Sequence, residues 1–538
     1  MNSPNVANKI IEQLSSWKVK TIFGFVGDNI FHLMDALAQQ NGIKFYQVRH
    51  EESAALMASA HAKLTGELGV CIADGGPGTV HLLNGLADAH TDKVPVLAIT
   101  GQVKLKDVGT NAKQYLNQQL LISSLAAYSD MLVDPNSTIK IMEKAYRKAI
   151  TGKSVSHITI PKDIFAAPCT KETAPLAPYL KEHPVSSDKV ISDAIEAINR
   201  AKNPTIIVGE GGRPYNYEVT QLSLKLGAGI ITSLAGTGVV DKGHPLYIGG
   251  LGHAGSPAST KILNQSDLCL IIGANWWPKN YVPQGIDTVK IDKNPSNLNV
   301  GPKYTYGIAG DCGEILSAII QGVDPKNNKK WQDMIKGEIN SWLGVLEKEV
   351  NENTFPVHPA AVIKSLEKNL PTDALICLDT GDSTAWFGRV FRPANQRAII
   401  SGKWRTMGFA LPAAIAAKIH SPNSPVVAIA GDGGFTMTFA EFITAIKYEL
   451  PIVVVVLNNG CLAMEKNRML MENLQPLGTD LLNPDFAGFA NICGGVGIKV
   501  DNVEQLDKAL TEGLKSQKPV VIDVNTSAIE VPGASMPS

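Results

Sequence analysis

The chain has 538 residues, a formal net charge of −1, and 18% charged against 44% hydrophobic residues. That length exceeds one ordinary core and implies about three domains, while the balanced charge gives no long-range attraction to nucleic acid and the composition excludes a disordered chain. The seven cysteines, at 71, 169, 269, 312, 377, 461 and 493, are scattered without a Cys-x-x-Cys pair, which argues against a disulfide framework or zinc site and for a reducing compartment.

Taken in order, residues 1–165 alternate helix and strand patterns. The spacing predicts a helix over 6–17, a strand over 21–25, a helix over 30–39, a strand over 44–48 and a helix from about 52 to 64. A strand over 70–73, a glycine-rich turn, a helix over 80–91 and a strand over 94–100 continue the alternation, which is the pattern of a doubly wound α/β domain. Proline-rich residues 166–186 are expected to form a surface linker.

A second α/β unit is expected over 187–322, with strands over 205–208, 230–232, 268–272 and 288–291. Residues 323–356 carry Trp331, Trp342 and Leu346 at helical spacing and predict a connecting helix. A third unit, 357–528, contains strands over 374–378 and 520–524 and a helix over 412–419, followed by a tail from Ile529. The fold class is therefore α/β, with three doubly wound parallel-sheet domains, the first and third built on one plan.

The third unit holds the most informative stretch. A buried strand over 426–430 leads into Gly431-Asp432-Gly433-Gly434, expected to be a sharp glycine turn approached closely by a ligand. A helix carrying Phe439, Phe442, Ile443 and Ile446 should follow, then a second buried strand over 452–457 ending at Asn458-Asn459. Asp432 and Asn459 lie 27 positions apart, yet adjacent parallel strands would bring both to one sheet edge, where ligands of such sheets bind. A carboxylate, an amide oxygen and backbone carbonyls suit Mg²⁺ or Ca²⁺ shared with phosphates.

Four further groups carry chemistry. Arg49-His50-Glu51-Glu52 lies at a strand exit and helix start, where carboxylates complement the helix dipole. Gly75-Gly76-Pro77-Gly78-Thr79-Val80-His81 is a glycine turn entering a helix, with His81 expected in its first turn. Leu378-Asp379-Thr380-Gly381-Asp382-Ser383-Thr384 offers backbone N–H groups and hydroxyls to an anion. Thr406-Met407-Gly408-Phe409 precedes the helix over 412–419.

Together these residues resemble the thiamine diphosphate (ThDP)-dependent pyruvate oxidase and acetolactate synthase family, in order along nearly the whole chain. Gln47 to Glu52, Gly-Pro-Gly-x-x-His with Leu-Leu-Asn-Gly-Leu, Pro95 to Ile99, Thr406-Met407-Gly408, and Gly431-Asp432-Gly433 to Asn459 all match. The resemblance implies a pyrimidine-binding domain (1–165), a central domain (187–322) and a pyrophosphate- and Mg-binding domain (357–528), with the active site between two copies in a homodimer or homotetramer. It also implies that Glu51 is the carboxylate on pyrimidine N1′ and that Met407 wedges the cofactor into a bent shape. Asp432, Asn459 and the Cys461 carbonyl would hold Mg²⁺; Gly381, Asp382, Ser383, Gly433 and Gly434 would surround the diphosphate; His81 and Gln114 match substrate-side positions.

In the central domain, Asn275, Asp292 and Asp311 fall where relatives hold FAD. The implied activity is oxidative decarboxylation of pyruvate or a similar 2-oxo acid, the histidine after Gly-Pro-Gly favouring pyruvate oxidases; carboligation or non-oxidative decarboxylation are the alternatives. A cytoplasmic enzyme without a stable membrane anchor is expected, since no signal-peptide h-region or membrane-length apolar run is present. The chain departs from the family at Lys113, where an aromatic residue is usual, at Glu465, where an apolar one is, and at Arg468, near an expected glutamate.

Overall fold

The computed structural model describes residues 4–175, 186–253, 255–275, 277–283, 285–298, 306–352 and 354–532. Most of the expected linker's second half and the end of the expected tail lie outside them. Among the described residues, eighteen strands form three six-stranded sheets, all parallel. The first contains β1 (Thr21–Gly24), β2 (Lys44–Gln47), β3 (Gly69–Ala73), β4 (Val96–Gln102), β5 (Ala126–Met131) and β6 (Val155–Pro161), in the order 2-1-3-4-6-5. The second contains β7 (Pro204–Val208), β8 (Gly229–Thr232), β9 (Tyr247–Gly250), β10 (Leu268–Ile272), β11 (Asp287–Asp292) and β12 (Tyr306–Ala309), in the order 12-11-10-7-8-9.

The third contains β13 (Leu375–Leu378), β14 (Arg397–Ile400), β15 (Val426–Gly431), β16 (Val453–Asn458), β17 (Val496–Val500) and β18 (Val520–Asn525), in the order 14-13-15-16-18-17. Renumbered from its own first strand, this is the order of the first sheet. The middle sheet instead has the 3-2-1-4-5-6 arrangement of doubly wound dinucleotide-binding sheets. Central strands such as β3, β4, β7 and β10 are buried along their whole length, because helices cover both faces of a parallel sheet.

Two elements differ from the sequence-based expectation near the ligand edge. The helix expected over 80–91 is two helices, Pro77–His81 and Leu83–Thr91. Gly76, at φ +61°, and proline at the first helical position start it early, so His81 closes the first piece instead of opening the helix. The stretch after β15 is also helical at once: Asp432–Thr438, a 3₁₀ turn Phe439–Glu441 and Phe442–Lys447 replace a glycine turn and one helix.

The first and third domains share a hydrophobic core. The helix Glu51–Thr65 packs on the helix Ala410–His420, and Phe23, Leu56, Phe409, Ile415 and Phe442 belong to one buried cluster. Polar contacts pin this seam. Lys63 Nζ reaches Asp88 at 2.6 Å, Asp92 at 2.7 Å and the Ile400 carbonyl at 2.9 Å. Arg397 donates to the carbonyls of Leu64 and Lys63 and to Glu210 of the second domain, so one guanidinium touches all three domains. The connecting helix Lys329–Val350 buries Trp331 and Trp342 in a cluster shared by the second and third domains.

Candidate functional site

In the third sheet, the strand order reverses between β13 and β15, and a crevice opens at such switch points. Leu378 pairs with Ile429, and Gly431 with Leu457, so Asp379, Asp432 and Asn459 leave one edge together. Asp379 is buried and accepts N–H groups from Thr380 and Gly408 at 2.9 Å and from Ala410 at 3.1 Å. Burial nevertheless pushes its carboxyl up to about 6. It ties the Met407-Gly408 loop to the end of β13.

The glycines here are needed for clearance and not for a turn. Gly431 has φ −76°. A Cβ on Gly434 would sit 2.6 Å from Asp379 Oδ1, and one on Gly433 would lie 2.7 Å from Leu462 Cδ2 and 3.3 Å from the Met407 methyl.

Beside them the helix Asp382–Val390 begins at Gly381, φ +139°, with no side-chain cap. Its first N–H groups therefore face the crevice uncapped. The Ser383 hydroxyl is buried there without a partner, a state that costs on the order of 1–3 kcal/mol unless a ligand satisfies it. Asp382 accepts the Trp386 indole N–H at 2.9 Å, and burial raises its carboxyl to about 7.

Asp432, only 2% exposed, accepts the Gly460 N–H at 2.8 Å and the Asn483 amide at 2.6 Å, both on Oδ2. Burial raises its carboxyl as well. Asn459 Oδ1 accepts the Cys461 N–H at 3.1 Å, and the Cys461 carbonyl accepts from Ala463 at 3.0 Å. Asn459 Oδ1 also accepts the Cys461 thiol at 3.5 Å, whereas Asp432 Oδ1 takes neither of the Asp432 bonds above and the Cys461 carbonyl keeps a second lone pair. A buried carboxylate without a cationic partner among the described residues, an amide oxygen and a backbone carbonyl are the donor set of a hard divalent cation.

Glu51 is the first residue of the helix Glu51–Thr65, behind an N-cap at His50. Its Oε2 lies 2.8 Å from His81 Nδ1, and Oε1 lies 3.3 Å from where a Gly78 Cβ would be. The His50 and His81 rings lie 4.3 Å apart, tilted by 31°. Gln114, at φ +66°, packs its carbonyl against Gly76, so Glu51, His81 and Gln114 gather round the Gly-Pro-Gly turn. Lys113 beside it is exposed. Among the described residues, no hydrogen bond or ion pair joins this trio to Asp432, Asn459 or Gly381–Ser383.

Asp292 ends β11, and Asn275 and Asp311 follow the adjacent strands β10 and β12 of the middle sheet. Asp292 holds the Asn294 N–H at 2.8 Å and the Asn297 amide at 3.1 Å on each oxygen. Asp311 caps the helix Cys312–Gly322 and accepts from Tyr215 at 2.7 Å and Lys293 at 3.0 Å, which hold its carboxyl down near 2.

Comparison with known proteins matches all three domains. Residues 4–121 fit the N-terminal TPP binding domain of thiamine pyrophosphate enzymes, 191–319 their central domain, and 379–524 their C-terminal TPP binding domain. The chain belongs to the thiamine pyrophosphate enzyme family. It is 34% identical to a putative thiamine pyrophosphate-containing protein, YdaP, of Bacillus subtilis, over 95% of this chain and 90% of that one. It is 29% identical to pyruvate oxidase of Lactiplantibacillus plantarum, covering 96% and 87%, and 30% identical to acetolactate synthase isozyme 2 large subunit of Escherichia coli, covering 99% and 98%. It is thus a ThDP-dependent 2-oxo acid enzyme. No helix among its described residues is long and apolar enough to cross a membrane.

Three residues at this thiamine enzyme's site escape sequence reasoning. Asn483 reaches both Asp432 and Asn458 from 51 and 25 positions away. Glu441, 1% exposed, accepts the Arg49 and His50 N–H groups at 2.9 and 3.1 Å and so fixes the start of the Glu51 helix from the third domain. Arg405, at φ +58°, is the third; only its closeness to Met407 could have drawn attention to it.

Proposed function

We propose that this enzyme oxidatively decarboxylates pyruvate or a similar 2-oxo acid, as a pyruvate oxidase does, with FAD taking the electrons. The observation that carries the cofactor half is the unpartnered, buried Ser383 hydroxyl at an uncapped helix start beside Asp432. Gly381, Asp382, Ser383, Gly433 and Gly434 would surround the diphosphate, with Asp432, Asn459 and the Cys461 carbonyl on Mg²⁺ and Met407 under the ring system. When bound, ThDP supplies the electron sink for the pair left as CO₂ departs. Glu51 holds a proton at the pyrimidine N1′, His81 orients Glu51 and can exchange that proton, and Gln114 orients the substrate carboxylate.

The flavin is supported by the 3-2-1-4-5-6 order of the middle sheet and by the pyruvate oxidase relative. Asn275, Asp292 and Asp311 stand at its ligand edge, although both aspartates already hold partners of their own. The acetolactate synthase relative, aligned along 98% of its length, favours a second reading: carboligation, with flavin structural or absent.

A homo-oligomer, dimer or tetramer, would bring the two separate halves of the site together. Both are rimmed by exposed apolar side chains: Val80 (43%) and Leu120 (73%) on one side, Leu477 (88%) and Leu482 (101%) on the other. Glu51 of one copy would face Asp432 of the next.

The test is an anaerobic absorbance spectrum of the purified protein with ThDP and Mg²⁺ before and after pyruvate. Flavin bands that bleach support the oxidase. Flavin that stays oxidised while acetolactate forms overturns it in favour of the carboligase. Glu51→Gln should retain ThDP and lose turnover by about 100-fold or more; near-normal activity would remove Glu51 from the mechanism.

A further inference from the structure

The loop between β14 and the helix Ala410–His420 carries Met407, and the first domain of the same chain holds it. Asp92 accepts the N–H groups of Gly402 and Lys403, both at 2.7 Å. A Cβ on Gly402 would lie 2.8 Å from Asp92 Oδ1, so loop and carboxylate are in close contact. Further on, the backbone is left-handed at Arg405, φ +58°, and at Gly408, φ +80°, a course that a chain keeps only where its surroundings impose it.

Asn84 supplies the next hold, at Thr406. Its Nδ2 donates to Thr406 Oγ1 at 2.8 Å and to Glu52 Oε1 at 2.7 Å, and its Oδ1 accepts the Trp404 indole N–H at 2.6 Å. An ionised carboxylate only accepts and an indole N–H only donates, so the amide has one orientation. Thr406 passes the contact on, its hydroxyl donating to the Met407 carbonyl at 2.9 Å. At the other end Glu52 follows Glu51 in the first turn of their helix. The segment that sends His81 to Glu51 thus sends Asn84 to Glu52, and one amide joins the residue after Glu51 to the residue before Met407.

We propose that Asn84 is a positioning residue for the thiamine cofactor. It sets Met407 through Thr406 and the start of the Glu51 helix through Glu52; this rests on the placement of Met407 under the ring system above. Glu51 would face the next copy's cofactor and Met407 this copy's, so a change at Asn84 reaches both binding and turnover.

The test reverses the hydrogen bond. Asn84→Asp sets two carboxylates across the 2.7 Å now spanned by an N–H donor and its acceptor. ThDP affinity in the presence of Mg²⁺, measured by calorimetry, should fall about 10-fold or more, and turnover of pyruvate at saturating ThDP should fall with it. Adding Glu52→Gln turns the contact round, since the new amide donates and the new carboxylate accepts. The double variant should recover most of both losses, which a general weakening of the fold would not allow. Unchanged affinity in Asn84→Asp, or a double variant no better than the single one, overturns the proposal. If Asn84→Asp does not fold, Trp404→Phe decides: it removes one bond to the amide at a side chain 45% exposed. Weaker ThDP binding there supports the proposal and unchanged binding overturns it. Met407→Ala separates the two readings. Affinity lost there but kept in Asn84→Asp overturns this proposal alone; affinity kept in Met407→Ala overturns the placement of Met407 and this proposal with it.

Discussion

Asp379 shows how a single residue can hold a site without touching what binds there. Its carboxylate meets three N–H groups and fills the space a Gly434 side chain would need. Gly434→Ala should therefore push the carboxylate off the Met407-Gly408 loop. Overpacking of this kind costs about 1–3 kcal/mol. A fluorescence titration should find ThDP affinity at least about 10-fold weaker, and unchanged affinity would show that the crevice can relax. Of the residues here, Asp432 and Asn459 were legible as neighbours because strand ends and spacing bring them to one edge, while Glu51 was singled out by the family resemblance. Asp379 was visible in its motif, but nothing marked it as the anchor. Asn483 and Glu441 were not legible at all, since their partners lie 51 and 392 positions away and carry no local pattern.

The elements were legible where hydrophobic runs are long and uninterrupted, as in β10 and β16. They were not where buried strands carry polar residues. β6 places Ser156, His157 and Thr159 in the core, and each breaks the apolar run that would announce a strand. Thr100, Ser129 and Gln118 satisfy His157 and Thr159 across the sheet, which no local reading supplies. The helix pair Glu51–Thr65 and Ala410–His420 has a pH signature of its own. His61 and His420 meet edge to face at 5.8 Å, and burial with that neighbour lowers the His61 pKa to about 4. The folded state thus prefers neutral His61, while the unfolded chain takes up the proton near 6.5. Stability from this group is full above about pH 6.5 and is lost as pH falls towards 4, by up to about 3 kcal/mol. His61→Gln should flatten the fall of the thermal midpoint across that window relative to wild type; parallel curves would show that His61 does not carry it.

At the scale of the molecule, three α/β domains and the likeness of the first to the third could be read from alternation alone. The common core of those two could not, because a buried face looks the same whichever sheet it meets. Assembly is the other property at this scale. Leu477 and Leu482 flank residues that touch the Asp432 crevice, Leu481 and Asn483. Leu477→Ser with Leu482→Ser should shift the assembly towards monomer in light scattering and lower turnover with it, while the monomer's far-ultraviolet circular dichroism stays native. Unchanged mass would place the contact between copies elsewhere.

The shared core also sets an order of events during synthesis. The helix Glu51–Thr65 leaves the ribosome roughly 350 residues before its partner Ala410–His420 is made, an interval of roughly 20–70 s at ordinary elongation rates. Until then the side that meets Ala410–His420 is uncovered, while the rest of the helix packs within its own domain on β3 and the helix Leu83–Thr91. The second domain, with its own core, can close in the meantime. The nascent first domain therefore carries an uncovered apolar strip, and slowing translation after residue 170 should lengthen the time that strip spends exposed.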